Sequence, residues 1–252
     1  MNNPSDYYEN DTTLAQYLEF HFGESWHGEA NFPKELAEAA LEALNGRETC
    51  RALDIGCAVG RTTLELARHF DHVDGVDFSQ SFVNTCRDVV ASGRARYARP
   101  EEGELVSYQE RSLAALGLAE AAQRVAFHQG DACDLGQDYR DYDLVLAGNL
   151  IDRLYKPSLF LETIHERIND LGLLVIASPY TWLEDYTPQS EWVGGYLKDG
   201  EPFTTLDGLK DMLAPHFRLL GEPRSLPFVI RETRNKFQHS FSELTIWEKL
   251  PA

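Results

Sequence analysis

The chain has 252 residues, 43% of them apolar, enough for one core with elaborations and with no unbroken apolar run of membrane-spanning length. Its 23 Lys and Arg face 41 Asp and Glu, a formal charge of −18 with no basic cluster, which argues against nucleic acid and anionic membrane surfaces as partners. Four scattered cysteines form no C-x-x-C pair and have no histidine at zinc-ligand spacing, so they read as small buried hydrophobes of a reducing compartment. The N-terminus has no basic patch followed by an apolar run, so no signal peptide is read and the cytoplasm is the expected location.

Residues 11–22 carry Leu14, Tyr17, Leu18 and Phe22 at helical spacing. A second helix begins at Pro33, with Leu36, Ala40 and Leu44 along one face and Asn45-Gly46 as its stop. Together these helices, within 7–45, predict an N-terminal cap on a single domain spanning 1–252. An alternation of strands and helices follows: a buried strand over 51–55, a glycine-bearing turn at 56–60, a helix over 61–70 and a strand over 72–76. Ser79 reads as the N-cap of a helix carrying Phe82, Val83, Cys86 and Val90. The pattern breaks at about 94–123, where Pro100-Glu101-Glu102-Gly103 predicts an inserted turn or hairpin and 113–122 a short helix. Strands resume at 124–129 and 142–147. A helix from Pro157 presents Phe160, Leu161, Ile164 and Ile168, and 173–177 is another apolar strand.

The stretch 178–202 is long and aromatic, and a structureless segment of that size in a compact domain is usually functional. A last helix over 206–217 and strands over 228–230 and 244–247 complete the pattern. Strands separated by helices predict an α/β fold with right-handed crossovers, a mostly parallel sheet and helices on both faces. The two close-set final strands suggest an antiparallel edge.

The strongest local signal is Ala52-Leu53-Asp54-Ile55-Gly56-Cys57-Ala58-Val59-Gly60. A buried strand ends in an acid, enters a turn with two glycines and passes into a helix. Gly56 and Gly60 let the backbone approach a ligand where a Cβ would clash. The turn is G-x-x-x-G after an acid, and the missing central glycine argues against a dinucleotide pyrophosphate. It resembles motif I of class I methyltransferases, whose fold is a Rossmann-like, seven-stranded sheet and whose cofactor is S-adenosylmethionine, with S-adenosylhomocysteine as product. By that resemblance Asp54 lies near the methionine end, and Gly56, Cys57 and Ala58 line the cofactor. Asp77 and Phe78, at the end of the second strand, fall where a carboxylate accepts both ribose hydroxyls. Asp131 and Ala132, at the end of the next, fall where adenine is recognised. Each acid taken alone could equally be a helix cap or turn residue.

After the fourth core strand comes Gly148-Asn149-Leu150-Ile151-Asp152-Arg153-Leu154, followed by Ser178-Pro179-Tyr180-Thr181-Trp182 and Pro227-Phe228-Val229-Ile230-Arg231-Glu232. With motif I and Gly130-Asp131-Ala132-Cys133, these strings resemble the methyltransferase domain of ovothiol biosynthesis, the 4-mercaptohistidine N1-methyltransferases, over nearly the whole chain. The resemblance implies a thiol-bearing histidine as substrate. It also implies an iron-dependent sulfoxide synthase as working partner, linked or separate. That partner's H-x-x-x-H-x-E iron pattern is missing here, and no metal is expected.

Asn149 and Leu150 then adjoin the cofactor, and Asn149, Arg153, Tyr180, Trp182, Trp192, Phe228 and Arg231 are the expected substrate contacts. Catalysis would rest on Asn149 and Tyr180, with Glu184 as a proton acceptor. Trp182, Trp192 and Tyr196 could instead cover core, Arg231 could pair with a surface acid, and Glu184 could be a solvated loop acid. Two broader readings stay open: methylation of another small amine, imidazole or thiol, and a cofactor-binding regulatory module.

Overall fold

The computed structural model describes residues 11–251, so residues 7–10 of the expected cap lie outside it. Helix α1 (Asp11–Phe22) and helix α2 (Phe32–Leu44) form the rest of that cap. Asn31 joins them. Its Oδ1 caps α2 by accepting from Lys34 N at 3.2 Å, and its Nδ2 donates to the Phe20 and His21 carbonyls at 3.2 and 3.1 Å. Asn45, left-handed at φ 46°, ends α2 where the sequence predicts. α2 buries Phe32, Leu36, Ala37, Ala40 and Leu44 against the central sheet. Each of the larger side chains contributes about 1.5–3 kcal/mol in removed apolar surface.

The sheet has eight strands rather than seven. Its parallel part is β5 (Val125–Gln129), β2 (His72–Asp77), β1 (Arg51–Ile55), β6 (Tyr142–Gly148) and β7 (Ile168–Ser178), in that spatial order. The antiparallel side is β12 (Lys236–Lys249), which pairs β7 on one edge, and β10 (Phe217–Leu219) and β11 (Arg224–Thr233) on the other. The β11–β12 hairpin runs beyond the end of β7 and reaches the cap. Helices α3 (Arg61–Leu66), α4 (Gln80–Ser92), α5 (Pro157–Thr163) and α6 (Thr205–Leu213) complete the crossovers, with the core between them and the sheet.

Three expectations change in detail. The region 94–123 is a hairpin, β3 (Arg94–Glu102) and β4 (Leu105–Ser112), followed by turns rather than a helix. Gly117, at φ 72°, stops the chain after one turn. The helix expected over 206–217 ends at Leu213, because Pro215 cannot continue it, and Phe217 opens β10 instead. The stretch 178–202 is not structureless: β8 (Tyr196–Lys198) and β9 (Glu201–Phe203) form a small hairpin. Its turn is Asp199-Gly200, both with positive φ, a hairpin signature that was legible in the sequence. No described helix is long and apolar enough to cross a membrane.

Candidate active site

A cavity of about 370 Å³ opens at the carboxyl ends of β1, β2, β5 and β6, beneath α1 and α2. This is the crevice where open α/β sheets bind ligands. The turn after β1 forms its floor. Gly56 and Cys57 donate their N–H groups to the Val76 carbonyl at 2.8 and 3.1 Å, which locks the turn to β2. Gly56 has φ 75°, and a Cβ there would stand 2.9 Å from Leu150 Cδ1; Gly60 has φ 85°, and a Cβ would meet the Phe127 ring at 2.8 Å. Neither position admits a side chain, and both keep the floor open.

Three acids line this floor at successive strand ends, as the sequence predicts. Asp54 is buried and accepts from Thr63 Oγ1 at 2.6 Å. Burial, and then the nearby Asp77 charge, push its carboxyl up to about 7 against that hydrogen bond. The Asp77 carboxylate is held by Ala58 N at 2.8 Å and Ser79 N at 2.9 Å, one on each oxygen. Asp131 accepts from Cys133 N at 2.8 Å and from the Tyr155 hydroxyl at 3.2 Å. Phe78, 59% exposed, forms part of the rim beside Asp77, where a flat ring can lie against it. Cys57, Ala58, Ala132, Asn149 and Leu150 also line the cavity; Gly60 closes the turn beneath it.

The opposite wall carries residues that the sequence reading does not assign to the site: Tyr17, Phe20 and His21 from α1, Phe32 and Leu36 from α2, and Tyr155, Tyr186 and Ile230. The only signal for the α1 residues is their place in a predicted cap helix.

Among the expected substrate contacts, Asn149 and Arg153 line the cavity. Asn149 is left-handed at φ 52° and follows β6, while Tyr180, at φ 51°, follows β7. Two non-glycine residues in this conformation at neighbouring strand ends are the kind of backbone strain that clusters at functional sites. The Asn149 Oδ1 accepts from Ser242 Oγ at 2.6 Å, so its amide nitrogen is the end left for a ligand. Arg153 is anchored to buried Asp152 at 2.7 Å and to Thr181 Oγ1 at 2.9 Å, and lies over the Tyr186 ring at 4.9 Å. It is the only Lys or Arg among the described residues lining the cavity.

The other expected contacts lie off the wall. Arg231 is buried against Glu101 at 2.7 Å and the Pro100 carbonyl at 2.6 Å, and it stacks over Trp26. It pairs with an acid of the inserted hairpin, not with a ligand in this cavity. Trp182 donates to Thr205 Oγ1 and Trp192 to the Thr187 carbonyl, each at 2.9 Å, and the two rings stack as cover for α6. Phe228 lies behind the wall, packed on Phe20 and Phe32. The Tyr180 hydroxyl donates to Glu243 at 3.0 Å, and burial followed by that charge raises its pKa well above the ordinary phenol value. Tyr180 therefore supports the wall beside Asn149 and is unsuited to act as a base. Glu184 is exposed on the loop and does not reach the cavity.

Known proteins share this architecture. The family described as "Methyltransferase domain" matches residues 53–174, from β1 through β7. A magnesium-protoporphyrin O-methyltransferase of Rhodobacter capsulatus is 27% identical over 208 residues, 74% of this chain and 81% of that protein. A ubiquinone biosynthesis O-methyltransferase of Azorhizobium caulinodans is 27% identical over 128 residues, 51% of this chain and 40% of that protein. Among solved structures, the magnesium protoporphyrin IX methyltransferase ChlM of Synechocystis PCC 6803, with S-adenosylmethionine bound, superposes with a TM-score of 0.56 at 15% identity. The match covers 98% of this chain and 97% of that one. The family match thus covers the middle of the chain, from β1 through β7, and the likeness to ChlM, a protein solved with bound S-adenosylmethionine, is one of fold. The cavity suits that molecule: it has a glycine floor that no Cβ can occupy and an acid at each of three strand ends.

Proposed function

We propose that this S-adenosylmethionine-dependent methyltransferase delivers its methyl group to an imidazole nitrogen of 4-mercaptohistidine. The observation that carries the reading is one buried carboxylate. Asp152 accepts from Ser178 Oγ at 2.9 Å, from Thr181 N at 3.1 Å and from Arg153 at 2.7 Å. It thereby welds together the two sequence strings that most specifically resemble the ovothiol methyltransferases, at the mouth of the cofactor cavity. Arg153 is then the cation for the substrate carboxylate, and Arg231 has no part in recognition.

Bound S-adenosylmethionine supplies an activated methyl group on a sulfonium. Transfer to a nucleophile is an in-line displacement in which positive charge leaves sulfur, so alignment at near-attack distance matters more than a strong acid. The protein's task is orientation. Asn149, with its amide oxygen held by Ser242, offers N–H donors that engage the substrate's thiolate and keep that softer nucleophile off line. Tyr180, tied to Glu243, fixes the strained segment beside it. Removal of a ring proton falls to water or buffer at the open rim, since Glu184 is out of reach. The sulfoxide synthase implied by the family would supply the thiol-bearing histidine.

A second reading is an O-methyltransferase of a larger aromatic metabolite. The hydrophobic wall of Tyr17, Phe20, Phe32, Leu36 and Ile230 favours it, as do the names of the two relatives. Incubation with S-adenosylmethionine and, separately, 4-mercaptohistidine, magnesium protoporphyrin and a catechol decides between them by product mass. N-methyl-mercaptohistidine supports the proposal; turnover of either oxygen acceptor alone overturns it.

A further inference from the structure

One polar side chain in the cavity wall has no task in the reading above. His21 is only 5% exposed and lines the cavity from α1. Its carbonyl accepts from Asn31 Nδ2 at 3.1 Å and from Arg61 Nη1 at 3.4 Å. Its ring Nδ1 accepts the backbone N–H of Arg61 at 3.3 Å. An imidazole that accepts at Nδ1 carries its proton on Nε2 when neutral. Burial, and next the adjacent Arg61 charge, keep it neutral, with a pKa held down to about 3. The Nε2–H makes no hydrogen bond among the described residues, yet it is not sealed from the cavity. A donor that faces the cavity without a protein partner is open to an acceptor on a ligand.

Its position identifies the acceptor. Arg61 directly follows Gly60, at the start of α3, whose Thr63 holds Asp54. His21 therefore stands at the Gly60–Arg61 end of the turn, by the helix whose Thr63 holds Asp54, two strands from Asp131 in the order β1–β2–β5. The acids of the floor repel an anion, while His21 presents a donor backed by the Arg61 charge and neighboured on the wall by Thr62. We infer that His21 Nε2–H recognises the carboxylate of the cofactor's amino-acid moiety. This rests on the methyltransferase reading and adds a specificity residue from the cap, one that couples cap placement to cofactor binding.

The test compares S-adenosylhomocysteine with 5′-methylthioadenosine, which keeps the nucleoside and lacks the amino acid. Calorimetry on wild type, His21→Leu and His21→Gln reads both affinities. The leucine variant should lose about ten- to hundredfold for S-adenosylhomocysteine and stay within about twofold for methylthioadenosine. Glutamine, which can accept from Arg61 and donate to the ligand, should recover most of the loss. Equal losses for both nucleosides, or no loss for S-adenosylhomocysteine, would overturn the inference. Wild type gives an answer without any variant. The His21 Nε2–H resonance should move downfield on adding S-adenosylhomocysteine and stay put with methylthioadenosine; no movement with either overturns the inference. A wild type that binds neither nucleoside overturns the cofactor reading as well, whereas tight binding that ignores His21 overturns this inference alone.

Discussion

Replacing Arg231 with alanine should cost stability and spare substrate recognition. The guanidinium side chain is 3% exposed and bonds Glu101 at 2.7 Å and the Pro100 carbonyl at 2.6 Å, with Trp26 against its face. Removing one partner of a buried ion pair costs about 3–5 kcal/mol when the other charge is orphaned. Glu101 is not orphaned here: it keeps Ser107 at 2.6 Å, Arg99 at 3.2 Å and Arg234 at 3.4 Å. Adding about 1 kcal/mol or more for the lost packing of the side-chain stem gives a net of about 2–4 kcal/mol. For a chain of this size that lowers Tm by about 5–15 °C. Calorimetric unfolding with saturating S-adenosylhomocysteine reads the stability, and kcat/KM for 4-mercaptohistidine below the transition reads recognition. An unchanged Tm with a KM raised about tenfold or more would return Arg231 to the substrate site. The Ser107 hydrogen bond and then the Arg231 charge hold Glu101 down to about 2, below its ordinary 4.5. Its contribution is therefore complete above pH 4.5 and lost as pH falls toward 2, and the variant should flatten that slope.

Asp77→Ala should weaken S-adenosylhomocysteine by about 1–3 kcal/mol in calorimetry, the scale of hydrogen bonds to a charged group; unchanged affinity in a folded variant removes Asp77 from the ribose site. Asp54 has a folded pKa raised from 3.8 to about 7, so the stability tied to its protonated form is complete below 3.8 and declines as pH rises through 7. Asp54→Asn should abolish that decline in denaturant titrations between pH 5 and 8, and an identical decline in the variant would put its cause elsewhere. His21, lowered from 6.5 to about 3, behaves oppositely: its contribution is complete above 6.5 and lost as pH falls toward 3, and His21→Gln should remove it. Asn149→Ala should lower kcat and let S-methyl product appear, read by fragment mass spectra; purely N-methylated product at an unchanged rate would refute the orienting role.

The cofactor floor was legible in the sequence because its chemistry is local. Asp54, Gly56 and Gly60 lie within seven residues, at the end of β1 and in the turn after it, while Asp77 closes β2 and Asp131 follows β5 by two residues. The inserted hairpin was equally plain, since Pro100 and Gly103 interrupt the alternation. The hidden parts depend on long-range pairing. Arg231 meets Glu101 across 130 residues of sequence, and nothing local marks the two as partners. Helix α1 reads as singly amphipathic, yet it is covered on two sides. Leu18, Glu19 and Phe22 face the hairpin region, where Glu19 takes the Tyr97 hydroxyl at 2.6 Å, while Tyr17, Phe20 and His21 face the cavity. A buried glutamate at such a position looks solvent-facing in sequence, which masks the second buried face. The eighth strand escaped notice because β10 is three residues long and follows directly on a helical pattern. Trp182 and Trp192 read equally as substrate contacts or as core cover because exposed and covering aromatics have the same sequence signature; only the hydrogen bonds to Thr205 and Thr187 decide.

The most direct test of the central claim is a single incubation of wild-type protein with S-adenosylmethionine and 4-mercaptohistidine, read by mass spectrometry with fragment assignment. The account predicts one new product carrying a single added methyl on an imidazole nitrogen, with S-adenosylhomocysteine formed in equal amount. A methyl found on sulfur would contradict the orientation assigned to Asn149. No transfer to this substrate, alongside turnover of an oxygen acceptor, would contradict the proposed function.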